Sequence, residues 1–191
     1  MRITHRLDCL HWILPLLLLL PGLARGADLM ENGDFEQPLE GAWEETYLGD
    51  GTIERGLGFH PDGDYEVRVY KPAISGYVEL SQTVPILGID LDCSASLRLN
   101  ANATGDAWTA CALVIGYLDA QGAVLGETRI CRMTSNCPWQ SSPTLHLIEA
   151  DPGVWSDHAF HIPDELEHLA GVDPLRVTAL RMSLLTYNYI C

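Results

Sequence analysis

The chain has 191 residues, a net charge of −15 and 47% hydrophobic residues. This length suits one domain with a substantial core. A surface this acidic repels the phosphate backbone of nucleic acids, so we expect no nucleic-acid partner.

The start of the chain has the organisation of a secretory signal peptide. Two arginines precede an apolar run at residues 10–20, and small residues stand before a cut after Gly26. The run is shorter than the roughly 20 residues that a membrane-spanning helix needs. We therefore predict that residues 1–26 are a cleaved signal peptide and that residues 27–191 form a single secreted or periplasmic domain without a membrane span. A retained N-terminal anchor is the alternative.

A turn is predicted soon after this segment, where residues 32–36 are Asn-Gly-Asp-Phe-Glu. Gly adopts a positive φ at little steric cost, and Asn and Asp bond to their own backbone, so this sequence is typical of a turn. Phe35 follows as a large apolar residue, and Trp43 comes shortly afterwards. The simplest interpretation is a turn that starts a β domain and places Phe35 in its core.

Alternation of apolar and polar residues with a period of two predicts strands along most of the chain. The predicted strands cover residues 65–70, 76–84, 91–101, 108–119, 123–131, 145–150, 155–162 and 175–187. The strand at 108–119 is apolar on both faces, as in a central strand, while residues 163–169 are predicted as helical turns. Short strands with almost no helix predict an all-β fold, a two-sheet antiparallel β-sandwich. These patterns do not separate a jelly roll from an immunoglobulin topology.

The opening turn and one strand together resemble a known family. The turn at 32–36 followed by Trp43, and Gln-Thr-Val at residues 82–84, resemble the opening turn and the Q-x-V strand of carbohydrate-binding modules of families 4 and 9. The resemblance covers about residues 29–187 and implies a jelly-roll topology of the galactose-binding-domain-like type. Family members usually close with a further strand that carries an acidic motif, and the last residues of this chain depart from that pattern.

The resemblance implies non-catalytic recognition of a polysaccharide or other glycan. Sugars stack their C–H faces on Trp and Tyr rings, and polar side chains bond their hydroxyl groups. Trp108 starts a strand, and Trp139 lies in the Ser- and Pro-rich segment 132–144, whose length is typical of binding loops. The predicted glycan-binding residues are Trp108, Trp139, Asn136 and Gln140. We predict Trp43 and Trp155 as core residues.

Two other classes of function stay open at this stage. One is a structural or protein-interaction β-sandwich without a sugar site, which would present a smooth acidic face. The other is a small secreted hydrolase, which needs two carboxylates facing each other across a cleft, and the sequence singles out no such pair. His158 and His161 lie three apart on a predicted strand, so they point to opposite faces and do not chelate one ion. We therefore predict that the protein is not an enzyme.

The resemblance also implies a structural calcium ion near the opening turn. Calcium takes oxygen ligands from carboxylates and backbone carbonyls. The predicted ligands are Asp34 and Glu36.

Cysteine spacing suggests one disulfide. Five of the six cysteines follow the predicted signal peptide, so one is unpaired or pairs outside the chain. Export would permit disulfides. Cys131 and Cys137 are close in sequence and are predicted to bridge, which would restrain the segment that carries Trp139. Cys111 is the main alternative partner for Cys131.

Overall fold

The structure is a computed structural model that describes residues 2–5, 28–72, 75–102 and 107–187. Within these ranges about half of the residues are in strands and very few are helical, which confirms the all-β class. The strands are β1 (Arg2–His5), β2 (Glu44–Leu48), β3 (Thr52–Leu57), β4 (Tyr65–Tyr70), β5 (Tyr77–Pro85), β6 (Leu91–Arg98), β7 (Ala110–Leu118), β8 (Val124–Met133), β9 (Leu145–Glu149), β10 (Trp155–His161) and β11 (Ala179–Tyr187). A short helix α1 spans Ile162–Glu167, and a 3-10 turn spans Pro174–Arg176.

Two sheets pack face to face as a β-sandwich. The larger has six strands in the order β2-β5-β11-β7-β8-β9, and the smaller has the order β1-β6-β10. Neighbouring strands are antiparallel except β9, which runs parallel to β8. The chain crosses between the sheets from β5 through β6 to β7, and again from β9 through β10 to β11. Such crossing is typical of a jelly roll, the topology that the resemblance implied.

β7 is the central strand, as its apolar sequence predicts. All nine of its residues are buried, and it lies between β11 and β8. Leu113, Ile115 and Tyr117 point into the main core between the sheets. Ala112 and Val114 point to the outer face of the six-stranded sheet, where a small separate cluster covers them.

A two-stranded hairpin, β3–β4, stands beside the sandwich. Ile53, Val67 and Val69 are half-buried and pack against the main core. Strand β4 was predicted from its alternating sequence, whereas strands β2 and β3 were not predicted. Both of those strands are largely exposed and carry charged residues, so their sequences lack the apolar alternation that marks a half-buried strand.

The predicted opening turn forms and anchors two aromatic side chains. Asn32 and Phe35, and not Gly33 as the sequence suggested, take the positive φ angles, of 51° and 58°. Trp43 Nε1 donates a hydrogen bond to the Asn32 carbonyl oxygen at 3.2 Å, and the Phe35 and Trp43 ring centroids are 5.2 Å apart. Trp43 is buried in the core as predicted, and Phe35 is half-buried against it.

β1 lies inside the predicted signal peptide and pairs with residues 91–94 of β6. Ile3 is fully buried, the Leu29 N–H donates to the Ile3 carbonyl oxygen at 2.9 Å, and the Ile3 N–H donates to Asp28 Oδ1 at 3.2 Å. Cleavage after Gly26 would remove this strand and uncover the edge of β6. The apolar run at 10–20 and the cut itself lie outside the described residues, so the signal peptide stays a prediction. In the described part of the chain, no helix is long and apolar enough to cross a membrane.

Candidate functional site

A cleft of about 470 Å³ opens between the β3–β4 hairpin, the sandwich and the opening turn. This volume lies within the range of small-molecule sites. Buried or half-buried apolar side chains contribute part of its lining, namely Val67, Val69, Leu97, Leu99 and Leu184. Exposed polar side chains contribute another part, namely Asp34, Asp62, Asp64, Arg68, Arg98 and Asn100. The cleft therefore offers both apolar surface and hydrogen-bonding groups to a ligand.

Trp155, at the start of β10, forms part of the cleft wall. Its Nε1 donates to the Phe59 carbonyl oxygen at 3.2 Å, and the His60 ring meets it edge-on, with ring centroids 4.7 Å apart and planes at 84°. The Arg98 guanidinium carbon is 5.8 Å from the Trp155 ring centre. Trp155 was predicted as a core residue, but it is only half-buried and lines the cleft.

Arg55 on β3 ties the opening turn to the hairpin. Its guanidinium carbon lies 3.5 Å from the centre of the Tyr65 ring, and its Nη2 donates to the Glu36 carbonyl oxygen at 2.8 Å. The Tyr65 N–H in turn donates to Glu36 Oε1 at 3.3 Å. These contacts hold the turn against the side of the cleft that Tyr65 lines.

A turn between β3 and β4 brings three possible metal ligands together. Residues 61–64 are Pro-Asp-Gly-Asp, a turn sequence, and Gly63 has a φ of 86°. His60 and Asp62 come from this turn and Glu66 from β4, and one ligand atom from each lies within 4.8 Å of the others. This group was not among the predicted sites, although a His, an Asp and a Glu within seven residues are a visible signal.

Short polar contacts connect these three residues to one another and to Asp64. His60 Nδ1 lies 2.8 Å from Asp62 Oδ2, and the Asp64 N–H donates to Asp62 Oδ1 at 3.2 Å. The Asp64 hydrogen bond, followed by the contact with His60, lowers the pKa of Asp62. Burial is the main effect that raises the pKa of Glu66, and the neighbouring Asp62 carboxyl adds to it, while hydrogen bonds from the backbone of His60 and Phe59 oppose the rise in this pKa. Glu66 Oε2 is buried without a hydrogen-bond partner.

Trp108, predicted to bind glycan, lies in an aromatic row instead of the cleft. Its ring stacks on Tyr187 with centroids 5.0 Å apart and planes 9° from parallel. Tyr187 stacks on Tyr77 at 5.9 Å and 11°. One face of the Trp108 ring is therefore covered by Tyr187.

Trp139 packs on the outer face of the six-stranded sheet, against Ala112, Val114 and Cys131. The Arg129 guanidinium carbon lies 4.3 Å from the centre of its ring. The other two predicted residues, Asn136 and Gln140, are exposed on the same segment. The structure describes all four predicted glycan-binding residues, and none of them lines the cleft.

The predicted calcium ligands form part of the opening turn. Asp34 is exposed and lines the cleft, and its Oδ1 accepts the Glu36 N–H at 3.3 Å. Glu36 uses Oε1 to bond Tyr65, as described above. Neither residue belongs to the His60 group, and a calcium ion at this turn stays a prediction.

Cys131 and Cys137 are free thiols in the structure, the first buried and the second half-buried. Cys131 points to the outer face beneath Trp139, whereas Cys111 points into the main core. The alternative pairing of Cys131 with Cys111 is therefore disfavoured, because β7 and β8 place the two side chains on opposite faces. The bridge between Cys131 and Cys137 is not formed here and remains a prediction for the oxidised protein.

No family profile matches the chain, and no curated protein matches its sequence. The enzymatically active domain of tailspike protein 4 of bacteriophage CBA120 is similar in structure, with a TM-score of 0.46 and 12% identity over 85% of this chain and 19% of that chain. The chain thus spans about a fifth of the tailspike's length. A family 11 carbohydrate-binding module of a Clostridium thermocellum cellulosomal cellulase has a TM-score of 0.36 and 11% identity over 82% of this chain and 89% of that one. It is of family 11, not of family 4 or 9, and neither similarity is close enough to transfer a function.

Proposed function

We propose that this protein is a secreted, non-catalytic carbohydrate-binding module that holds a short stretch of a neutral glycan in the cleft beside the β3–β4 hairpin. The observation that carries this proposal is the composition of the cleft. It combines the half-buried Trp155 with the exposed polar side chains Asp64, Arg98 and Asn100.

This combination suits the chemistry of a sugar ring. The C–H face of a sugar is apolar and packs on an aromatic ring, while its hydroxyl groups donate and accept hydrogen bonds. Trp155 and the neighbouring Leu97 and Leu99 supply apolar surface. Arg98 donates, Asp64 accepts, and the amide of Asn100 does both.

The charge of the cleft favours neutral over anionic glycans. Asp34, Asp62 and Asp64 are exposed along it and outnumber the two exposed arginines, Arg68 and Arg98, and the whole chain has a net charge of −15. A carboxylated or sulfated polysaccharide would meet repulsion from these groups. Specificity by repulsion is a common way in which a site rejects a related ligand.

The paired carboxylates of the cleft, Asp62 and Glu66, do not face each other across it as those of a glycosidase do. A retaining glycosidase holds two carboxyl groups about 5–5.5 Å apart and an inverting one about 6.5–9.5 Å apart, with the glycosidic bond between them. The ligand atoms of His60, Asp62 and Glu66 all lie within 4.8 Å of one another, and Glu66 Oε2 is buried. Asp62 and Glu66 are thus neighbours on one wall of the cleft.

The outer face of the six-stranded sheet is the second candidate location, because the sequence prediction falls there. The aromatic row of Trp108, Tyr187 and Tyr77 is half-buried, and ring edges could border a glycan. Trp139, Asn136 and Gln140 lie on the segment that covers the same face. The alternative function is an interaction β-sandwich that binds no sugar.

Affinity electrophoresis on soluble polysaccharides tests both locations. We expect wild-type protein to bind at least one of β-glucan, xylan, mannan or galactan and to bind polygalacturonate less. Trp155→Ala should lose about 100-fold in affinity, on the order of 3 kcal/mol, and Asn100→Ala about tenfold. Trp139→Ala is the matched control and should bind within about twofold of wild type.

Circular dichroism checks that each variant is folded, and the exposed Asn100 provides a test if Trp155→Ala does not fold. If Trp139→Ala or Trp108→Ala loses binding while Asn100→Ala keeps it, the site is on the outer face. If wild-type protein binds no polysaccharide or array glycan, the carbohydrate-binding function is wrong and the interaction module replaces it.

A further inference from the structure

We propose that His60, Asp62 and Glu66 bind a divalent transition-metal ion, of the Zn²⁺ or Mn²⁺ type, at the wall of the cleft. This inference does not depend on glycan binding, because the three side chains would hold the ion whether or not a sugar is present. It differs from the predicted calcium ion, which involves Asp34 and Glu36 on the opening turn.

The spacing of the three side chains is close to that of a bound ion's ligands. Zn²⁺ holds imidazole nitrogens and carboxylate oxygens at about 2.0–2.2 Å, so two ligands of one ion lie about 3–3.5 Å apart. His60 Nδ1 and Asp62 Oδ2 are 2.8 Å apart, and the whole group lies within 4.8 Å. Asp62 is exposed on the turn, so an ion can reach it from solvent.

Glu66 provides an independent indication of a ligand. Backbone N–H groups of His60 and Phe59 bond the half-buried Glu66 carboxylate, but its Oε2 is buried without a hydrogen-bond partner, although buried polar atoms almost always have one. Leaving a buried oxygen of this kind unpaired costs about 1–3 kcal/mol. A cation beside Glu66 would supply the missing partner and also offset the repulsion between Glu66 and the neighbouring Asp62 carboxylate.

Neighbouring residues orient the ligands, as is usual around metal sites. The Asp64 N–H occupies Asp62 Oδ1 and leaves Oδ2 directed at His60. The His60 ring is packed edge-on against Trp155. The turn therefore presents one nitrogen and one oxygen in a restricted arrangement, and β4 presents the third ligand.

The ligand types favour a particular class of ion. An imidazole suits Zn²⁺, Cu²⁺, Ni²⁺ and Fe²⁺, while carboxylates also suit Mn²⁺. Ca²⁺ and Mg²⁺ take oxygen ligands and gain little from a histidine. Three protein ligands leave at least one coordination position free, and the cleft provides the space for a water molecule or a ligand oxygen to fill it.

Isothermal titration calorimetry on untagged, chelator-treated protein measures this binding directly. We expect saturable 1:1 binding of Zn²⁺, or of Mn²⁺, and binding of Ca²⁺ or Mg²⁺ to this site at least about tenfold weaker. His60→Gln and Glu66→Gln, which change size little, should each weaken Zn²⁺ binding by at least about tenfold. Circular dichroism confirms that both variants remain folded.

His161→Gln is the matched control. His161 also has two carboxylates nearby, Asp90 at 3.4 Å and Asp92 at 3.2 Å, but it does not line the cleft. This variant should bind Zn²⁺ within about twofold of wild type.

Absence of saturable 1:1 binding of Zn²⁺ and Mn²⁺ overturns the proposal, as does binding that His60→Gln and Glu66→Gln leave unchanged. If neither Zn²⁺ nor Mn²⁺ binds, a proton shared between Asp62 and Glu66 accounts for the short distance between the two carboxyl groups. That result would leave the glycan-binding proposal unaffected.

Discussion

Gln82 and Glu31 are joined by two hydrogen bonds. The Glu31 N–H donates to Gln82 Oε1 at 2.8 Å, and Gln82 Nε2 donates to the Glu31 carbonyl oxygen at 2.9 Å. The same Nε2 donates to the Ala42 carbonyl oxygen at 2.8 Å. Gln82 is buried in the middle of β5, so one amide fixes the chain on both sides of the opening turn. The turn and the Q-x-V strand, which together carried the family resemblance, are thus one connected unit.

Replacing Gln82 by Leu should destabilise the protein strongly. Gln82→Leu keeps the approximate size but leaves one backbone N–H and two backbone carbonyl groups without their partners. Each buried polar group left unpaired costs about 1–3 kcal/mol, and water reaches part of this turn, so we expect a loss of about 3 kcal/mol in the free energy of unfolding. Urea denaturation measures it. Thr83→Ala, at the exposed neighbouring position, should change stability by less than about 0.5 kcal/mol, and an equally small effect of Gln82→Leu would contradict the argument.

The sequence predicts the sandwich because its inner strands alternate strongly. It predicts the cleft poorly, since the cleft depends on contacts between distant residues. Trp155 reaches the Phe59 carbonyl across 96 residues, and Arg55 reaches Glu36 across 19. No local sequence pattern indicates contacts between residues that are this far apart along the chain. Trp155 was therefore predicted as core, although the hairpin beside it leaves it half-buried.

Trp139 shows a second feature that the sequence does not reveal, the segment that covers the outer face of β7. A Trp in a polar loop suggests an exposed ring, yet β7 is apolar on both faces, and its outer face needs a cover. Trp139 provides that cover over Ala112 and Val114, with Arg129 across its ring. The apolar outer face of β7 was visible in the sequence, but the segment that covers it could not be identified without the topology.

The cysteines should differ in reactivity in the folded protein. Burial raises the pKa of Cys131 to about 12 and also raises the pKa of the less buried Cys137. Since the thiolate is the reactive form, iodoacetamide at pH 8 without reductant should label Cys137 first and Cys131 only after unfolding. Peptide mapping by mass spectrometry measures the order. If both resist labelling in the unfolded, unreduced protein and mapping finds the Cys131 and Cys137 peptides cross-linked, the predicted disulfide is present, and if both are labelled there, the protein has no such bridge.

A calcium ion at the opening turn should stabilise the fold. A ligand that binds only the native state adds about 2.7 kcal/mol when its concentration is 100 times its dissociation constant. Asp34→Asn combined with Glu36→Gln should abolish the rise in melting temperature that Ca²⁺ produces, whereas His60→Gln should leave it in place. Differential scanning calorimetry with Ca²⁺ and with chelator makes the comparison. A melting temperature that chelator leaves unchanged in wild-type protein contradicts the predicted ion.

Asp119 should make the stability depend on acid pH. Its Oδ1 accepts the N–H groups of Ala123 at 2.9 Å and Gln121 at 3.0 Å, and Arg176 Nη2 donates to Oδ2 at 3.2 Å. The Ala123 hydrogen bond is the main effect that lowers the pKa of Asp119, and the other two contacts add to it. A carboxyl group with a lowered folded-state pKa contributes its stability above the unfolded value of about 3.9. That contribution is lost as the pH falls through the lower folded-state value.

The urea midpoint of wild-type protein should therefore fall as the pH decreases from about 5 to about 2, and Asp119→Asn should show a shallower fall. The Asn side chain keeps an oxygen that accepts the two backbone N–H groups, so this variant removes the charge and preserves the turn. Arg176→Gln removes only the ion pair and should keep most of the wild-type slope, because the hydrogen bond from Ala123 is the larger effect. A slope in Asp119→Asn as steep as that of wild type would show that other carboxylates determine the acid sensitivity.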